Sequence, residues 1–334
     1  MPSNPVALSR RRLLMASAAA AGLAASPPVV QAQAFAPLPR TGDEGELKLW
    51  YRNPAEAWVE ALPVGNGRLG AMIFGGVARE RLQLNEDTLW AGGPYDPSSP
   101  EALKVLPEVR RLIFEGRYPE AQNLAQAGMM ARPIRQMSYQ TIGDLMLSFG
   151  VSSASSGYRR DLDLEQAIAT TEYRQDGVAY RREVFASRPD DVVVMRLSAD
   201  RPGALSFEAT FETPQAADAA VHDGDLILSG RNGLQFDVPA ALTFETRVRV
   251  ITRGGLTRAY GKALRVEGAD EVLLLVAAAT SHVGPRDVSG DPRARTLATL
   301  QQVTPDFDQL KARHLADYQP LFRRVSFAVG RSEE

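Results

Sequence analysis

Between residues 143 and 280 the chain is a succession of short runs of aliphatic, β-branched and aromatic residues with no helical stretch among them, and this limits the fold more than any other feature. The clearest runs are 178–185, 191–197, 205–211, 226–228, 242–251 and 272–278. A period of two turns one side of each strand to a core and the other outward. Asp176-Gly177, Asp223-Gly224, Asn232-Gly233, Gly254-Gly255 and Glu267-Gly268 stand between the runs and supply the positive φ values that hairpins use. Strands that follow one another without crossover helices pair antiparallel, so the sequence predicts a sandwich and excludes Rossmann and TIM-type sheets. The glycines at 65, 67 and 70 precede an apolar strand instead of opening a helix, so they do not form a phosphate loop.

Upstream, 69–74 and 81–84 flank Gly75-Gly76 and predict two paired strands. The period then changes. Leu103, Val105, Leu106, Val109, Leu112, Ile113 and Phe114 recur on a helical repeat over 101–115, and 119–130 is a second helical segment after Gly116. Beyond Pro285 the pattern is helical again over 293–303 and 305–318, followed by an alternating apolar stretch at 321–329. The expected fold class is mainly β: a large antiparallel β-sandwich with a two-helix insertion and C-terminal linker helices. Its expected divisions are 1–34 as an export signal, 35–46 as a lead-in segment rich in Pro and Gly, 47–284 as the sandwich, and 285–334 as a helical linker.

Composition removes several chemistries. There is no cysteine, so thiolate nucleophiles, iron–sulfur clusters and zinc ribbons are excluded. The three histidines, at 222, 282 and 314, are too scattered for a His-rich metal centre, and no metal or cofactor is expected. The first 34 residues hold three arginines and no acid, which leaves 35 basic against 40 acidic side chains in the remainder. Such a chain is a poor partner for nucleic-acid phosphates.

Three stretches carry a family signature. Residues 58–72 read Trp-Val-Glu-Ala-Leu-Pro-Val-Gly-Asn-Gly-Arg-Leu-Gly-Ala-Met, and 82–94 read Leu-Gln-Leu-Asn-Glu-Asp-Thr-Leu-Trp-Ala-Gly-Gly-Pro. The third joins Tyr-Gln-Thr-Ile-Gly-Asp-Leu at 139–145 to Tyr-Arg-Arg-Asp-Leu-Asp-Leu at 158–164. Together they resemble the N-terminal β-sandwich domain of glycoside hydrolase family 95, the family of 1,2-α-L-fucosidases, over about 47–329. The stretch 317–322 resembles the family's linker before its catalytic (α/α)6 barrel. The resemblance implies that the acid, the base and the water-activating asparagines of the inverting reaction belong to that barrel, which lies beyond the family region matched here. No residue of this chain receives a catalytic role by correspondence. The implied partners are the barrel, carried by the same or a split gene product, and through it a fucosylated glycan. A free-standing carbohydrate-binding or structural sandwich without activity is the alternative.

The residues singled out are Asn66, Arg68, Asn85, Glu86, Asp87 and Trp90, at a substrate edge or a domain interface. Inversion needs two carboxyl groups about 6.5–9.5 Å apart across the scissile bond. Glu86 and Asp87 are neighbours in extended chain, so they point to opposite faces and cannot flank one bond. The 85–88 segment is expected to form a turn or helix start whose side chains cap backbone N–H groups, with sugar contact as the other reading. Residues 65–70 are expected to make a tight turn near the barrel-facing side, with Asn66 and Arg68 touching the other domain. Asp161, Asp163 and Glu165 alternate and are expected to form a solvated strand face. The three tryptophans, 50, 58 and 90, fall close together as in many sugar sites, although large aromatics are also core residues, and Trp50 and Trp58 are assigned to the core. If 64–72 and 82–90 face a barrel, the chain alone should expose an apolar patch there and self-associate.

Arg10-Arg11-Arg12 directly precedes an Ala-rich apolar run, and small residues follow at 30–34. This resembles a twin-arginine signal and implies export to the periplasm or beyond. The run is too short to span a bilayer, and Pro27-Pro28 ends it. Replacing Arg10 and Arg11 by Lys is expected to retain the precursor in the cytoplasm. Cell fractionation reads the outcome, and undiminished mature protein outside the cytoplasm would refute the signal.

Overall fold

A computed structural model describes residues 47–150 and 154–327. The export signal, the lead-in segment and residues 328–334 lie outside the described residues. Two antiparallel sheets pack face to face. The nine-stranded sheet runs, in spatial order, β1 (Lys48–Tyr51), β6 (Ser156–Asp163), β7 (Ile168–Gln175), β8 (Val178–Ser187), β9 (Val192–Ala199), β16 (Glu271–Thr280), β13 (Thr243–Arg253), β12 (Asp225–Arg231) and β11 (Ala216–His222). The seven-stranded sheet runs β14 (Leu256–Tyr260), β15 (Ala263–Ala269), β10 (Leu205–Glu212), β5 (Gly143–Ser148), β4 (Arg79–Glu86), β3 (Leu69–Ile73) and β2 (Leu62–Gly65). Four α-helices accompany them among the described residues: α1 (Ala102–Phe114), α2 (Tyr118–Gly128), α3 (Pro292–Gln302) and α4 (Phe307–Phe322). None is long and apolar enough to cross a membrane.

The seven-stranded sheet follows the simple alternation. On β4 the residues Glu80, Leu82, Leu84 and Glu86 are buried while those between them are not, and on β10 Leu205, Phe207 and Ala209 point inward. These side chains interdigitate with Leu162, Val193, Met195, Leu274 and Val276 of the other sheet in one core. The centre of the nine-stranded sheet behaves differently. The sequence of β16, Glu-Val-Leu-Leu-Leu-Val-Ala-Ala-Ala-Thr, shows no alternation because the strand is buried on both faces. Its Val272, Leu274, Val276 and Ala278 join the main core, whereas Leu273, Leu275 and Ala277 join a second cluster with Phe185, Val194, Leu300, Val303, Phe307 and Leu310. Helices α3 and α4, with Val303 between them, supply the last four of these and so cover the outer face. Asp291 and Asp306 start the two helices by accepting the N–H groups of Ala294 and Gln309, each at 3.0 Å.

The Asp-Gly pairs make the expected turns. Asp176 and Gly177 have φ of 51° and 74°, and Asp223 and Gly224 have 52° and 82°, closing two-residue hairpins between β7 and β8 and between β11 and β12. Gly254-Gly255 instead carries the chain from one sheet to the other. Asn232-Gly233 is no hairpin turn. Asn232 is buried, and its side chain brackets the neighbouring loops, as described below.

Two other expectations are corrected. Trp50 and Trp58 are 47% and 55% exposed, not buried. The seven-stranded sheet ends at β2, which packs against β7 and β8, so among the described residues the edge strand β1 lies beyond its last strand. Trp50 lies under the guanidinium groups of Arg52 and Arg159. Asp161 and Asp163 are buried, and Glu165 lies beyond the strand, so the three do not form a solvated face. They pair with Arg159, Lys48 and Arg323. Helices α1 and α2 pack chiefly on each other through Val109, Leu112 and Ala121, which leaves Leu103, Phe114 and Tyr118 exposed.

His314 locks α4 onto the sheet. Its ring stacks on Phe185 at 4.8 Å and its Nε2 lies 2.7 Å from the Gln166 carbonyl. Burial holds its pKa below the ordinary value of 6.5, against the pull of the Gln166 and Ala186 carbonyls. Between that lowered value and about 6.5 the unfolded chain holds a proton the native chain does not, so this group makes stability rise with pH across the window. The urea midpoint is expected to fall between pH 7.5 and 5.5, and His314→Gln to flatten the fall. An identical pH profile in the variant would refute it.

Candidate functional site

The antiparallel topology gathers at one end of the sandwich the 65–68 turn between β2 and β3, the segments 87–95 and 136–142, the 188–191 turn between β8 and β9, and the segments 232–242 and 281–288. The singled-out residues fall here. Asn66 shapes the first turn: its Oδ1 accepts the N–H groups of Arg68 and Leu69 at 3.0 and 2.7 Å, and its Nδ2 donates to the Ser187 carbonyl at 3.0 Å. Gly67 occupies the positive-φ position, at 95°.

Arg68 leaves this turn and crosses to the other sheet. Its Nε and Nη2 donate to the two oxygens of Asp191 at 2.9 and 2.7 Å, and its Nη1 donates to Glu86 Oε1 at 3.2 Å and to the Ala278 carbonyl at 2.7 Å. A planar fork suits such bidentate contacts. Glu86 is buried, and its second oxygen accepts the N–H and hydroxyl of Thr88 at 2.8 and 2.7 Å. Thr88 in turn hydrogen-bonds Thr280 on β16. Burial pushes the Glu86 pKa up, against the lowering by Thr88 and Arg68. Burial pulls the Arg68 pKa down, yet Asp191 and Glu86 hold it above its ordinary value. Tyr139 donates to the Glu86 carbonyl at 3.0 Å, and burial with the charges of Glu86 and Asp87 keeps its hydroxyl protonated, its pKa pushed up to about 12.

Glu86 therefore does cap backbone, as its segment predicts, but both its oxygens are engaged, so it is no free acid or base. Asp87 is exposed on the opposite side of the chain. Asn85 alternates away from Glu86 on β4 and does not join the Arg68 group. Of the apolar patch expected at 64–72 and 82–90, only Trp90 is exposed among the described residues, because Val64, Leu69, Ala71, Leu82, Leu84 and Leu89 are in the chain's own core.

Trp90 is 37% exposed and stands at a cavity of about 520 Å³. Its Nε1 donates to the Asp87 carbonyl at 3.0 Å, and its ring meets Tyr139 edge-on at 5.3 Å. Asn232 holds this loop by donating to the Trp90 and Gly92 carbonyls and accepting the Leu242 N–H. The rest of the wall includes Tyr95, Gln136, Met137, Leu242, His282 and Val288. Sequence reasoning missed Asp191, Asn232 and Thr280. Asn232 carried a signal, as half of an Asn-Gly pair, but the pair read as a turn. Asp191 and Thr280 carried none, being far from their partners along the chain.

Two large antiparallel sheets, with paired charges at their loop end and helices against one outer face, define a β-sandwich domain. Residues 49–285 match the family described as glycosyl hydrolase family 65, N-terminal domain, and the chain belongs to that family. The N-terminal-domain resemblance read from the three motifs thus stands, with 65 as the number in the description. Among relatives, alpha-L-fucosidase 2 of Arabidopsis thaliana is 36% identical over 86% of this chain and 37% of its own length. A probable alpha-fucosidase A of Aspergillus niger is 30% identical over 84% of this chain and 38% of its own length. The chain thus spans well under half the length of these relatives. A putative kojibiose phosphorylase from human microbiome is a solved structure with a TM-score of 0.49 and 10% identity, over 84% of this chain and 38% of that one.

Removing Arg68 would leave Glu86 buried and unpaired. With the Arg68 side chain 31% exposed, Arg68→Ala should cost about 2–3 kcal/mol, less than the cost for a fully buried pair. Glu86→Gln added to Arg68→Ala should recover part of it. A double-mutant cycle in urea checks this, and a coupling under about 0.5 kcal/mol would refute the pairing as a stabilising contact.

Proposed function

We propose that the chain is the non-catalytic N-terminal part of an exported α-L-fucosidase that works with inversion, and that the catalytic barrel is supplied by further sequence of a longer product or by a companion chain. The observation that carries this reading is the 36% identity to alpha-L-fucosidase 2 across 86% of this chain. The chemistry of the loop end supports it: Glu86 is committed to Arg68 and Thr88, and Asp87 has no matching free carboxyl beside it in that cluster. In this reading the Arg68 group serves as a rigid base on which the loops 87–95 and 281–288 are offered to the barrel. Export through the twin-arginine route belongs to the same proposal, with Arg10 and Arg11 as the recognised pair.

A second reading, a free-standing carbohydrate-binding sandwich, is favoured by the cavity beside Trp90. The sequence downstream of codon 334 separates the two: a barrel sequence there, in frame or shifted, supports the first reading, and an unrelated gene supports the second.

The 334-residue chain alone is expected to show no hydrolysis of an aryl α-L-fucoside above background, and turnover is expected once the barrel part is added. Hydrolysis by the chain alone that disappears in Glu86→Gln or Asp87→Asn would show that these carboxylates are catalytic and overturn the reading.

A further inference from the structure

The cavity beside Trp90 is built more firmly than a surface hollow between loops. On one side the 90–93 backbone is held by the Asn232 amide, by the Ala91 N–H on the Ser138 carbonyl at 2.9 Å and by the Gly92 N–H on the Gly233 carbonyl at 2.7 Å. On the other, Arg295 donates to the Thr280 and His282 carbonyls, both at 2.7 Å, and the 283–287 turn closes through the N–H of Val283 and of Gly284 on the Asp287 carbonyl. The walls are therefore set before anything enters, which lowers the entropy cost of binding.

What the walls offer is specific. The indole N–H of Trp90 is already used, so its ring presents only an apolar surface. Met137, Leu242, Pro285 and Val288 extend that surface. Among the described residues the side chains of Tyr95, Gln136 and His282 make no hydrogen bond, and they supply a hydroxyl, an amide and an imidazole. Among the described residues no Lys or Arg lines the cavity, and Asp87 is its one carboxylate. An anion would meet repulsion without a counter-charge. A volume of about 520 Å³ lies within the usual range for small-molecule sites. An apolar face beside a few free donors and acceptors, without cationic groups, matches a pyranose ring, which has a C–H face and a rim of hydroxyls.

We propose that this cavity binds an uncharged sugar ring, with Trp90 as the stacking surface and Gln136 and His282 as hydroxyl partners. The sugar class rests on the fucosidase reading above, and the site itself rests on the cavity. It places a glycan contact on the loops 87–95 and 281–288 of the sandwich.

The test is titration of the 334-residue chain with fucosyllactose, lactose and sialyllactose, followed by calorimetry and tryptophan fluorescence. Saturable one-to-one binding of a neutral oligosaccharide is expected, and at least about tenfold weaker binding of the sialylated one. Trp90→Ala, and independently Gln136→Ala with His282→Ala, should each weaken binding about tenfold, while Trp58→Ala, an exposed tryptophan outside the cavity, should leave it unchanged. Should Trp90→Ala fail to fold, the double variant decides, provided its thermal midpoint equals that of the wild type. Absence of saturable binding, equal binding of the sialylated sugar, or binding insensitive to the double variant would overturn the proposal. Fucosidase turnover of the barrel-completed protein without sugar binding by the chain would sink this site and leave the functional reading standing. Sugar binding without turnover would do the reverse.

Discussion

Two arginines pin the sheets to each other, and the geometry of the loop end depends on them. The apolar core holds the sheets together, but dispersion and burial are non-directional and do not choose one lateral position over another. Arg68 reaches from the seven-stranded sheet to Asp191 and to the Ala278 carbonyl on the nine-stranded one. At the other end of β4, Arg182 reaches the opposite way, from β8 to Glu80 at 2.9 Å and to the Gly76 and Val77 carbonyls. One such contact would allow the sheets to pivot about it, whereas two at opposite ends fix the rotation. Burial makes Glu80 and Glu86 costly unless their arginines are in place, so a slipped arrangement is penalised more than the correct one is rewarded.

This division between local and distant determinants explains what could be read from the sequence. The strand runs, the helical insertion and the Asp-Gly hairpins were legible because period and positive φ are properties of a few adjacent residues. The capping by Glu86 was legible for the same reason, its partner Thr88 lying two residues on. The partner of Arg68 is 123 residues away, and no pattern near Arg68 names it. The exposure of Trp50 follows from one sheet being wider than the other, which only the assembled topology decides. Asp161 and Asp163 alternate as a solvated face would, yet Lys48 and Arg159 neutralise them within the sheet. Of the singled-out residues, Asn66, Arg68 and Glu86 proved to be one mutually bonded group, Asp87 and Trp90 a cavity rim, and Asn85 a separate position.

Apolar side chains are left in solvent at the loop end, at Trp90, Tyr95, Leu234 and Val283, and also elsewhere. The others include Leu103 and Phe114 on the helical insertion, Trp58 and Val59 beside the edge strand, and Val325 and Phe327 past α4. Patches of this kind on an otherwise charged surface are where a domain meets something else. The loop end adds free polar groups to its apolar ones, so contact area and chemical selectivity meet there.

The two-sided burial of β16 also bears on how the protein is made. The strand is central, yet the outer face that carries Leu273, Leu275 and Ala277 is covered by helices encoded after it. During synthesis the sheet can pair before those helices leave the ribosome, but it then carries a bare apolar stripe down its middle. The pairing of β16 with β9 spans a long sequence separation, unlike the hairpin of β8 with β9, and this slows its formation and prolongs that exposure. The interval between the emergence of β16 and the docking of α4 is therefore the time at which a nascent chain most needs a chaperone, and any stop codon falling within it would yield a product that is nearly all sheet and prone to aggregate.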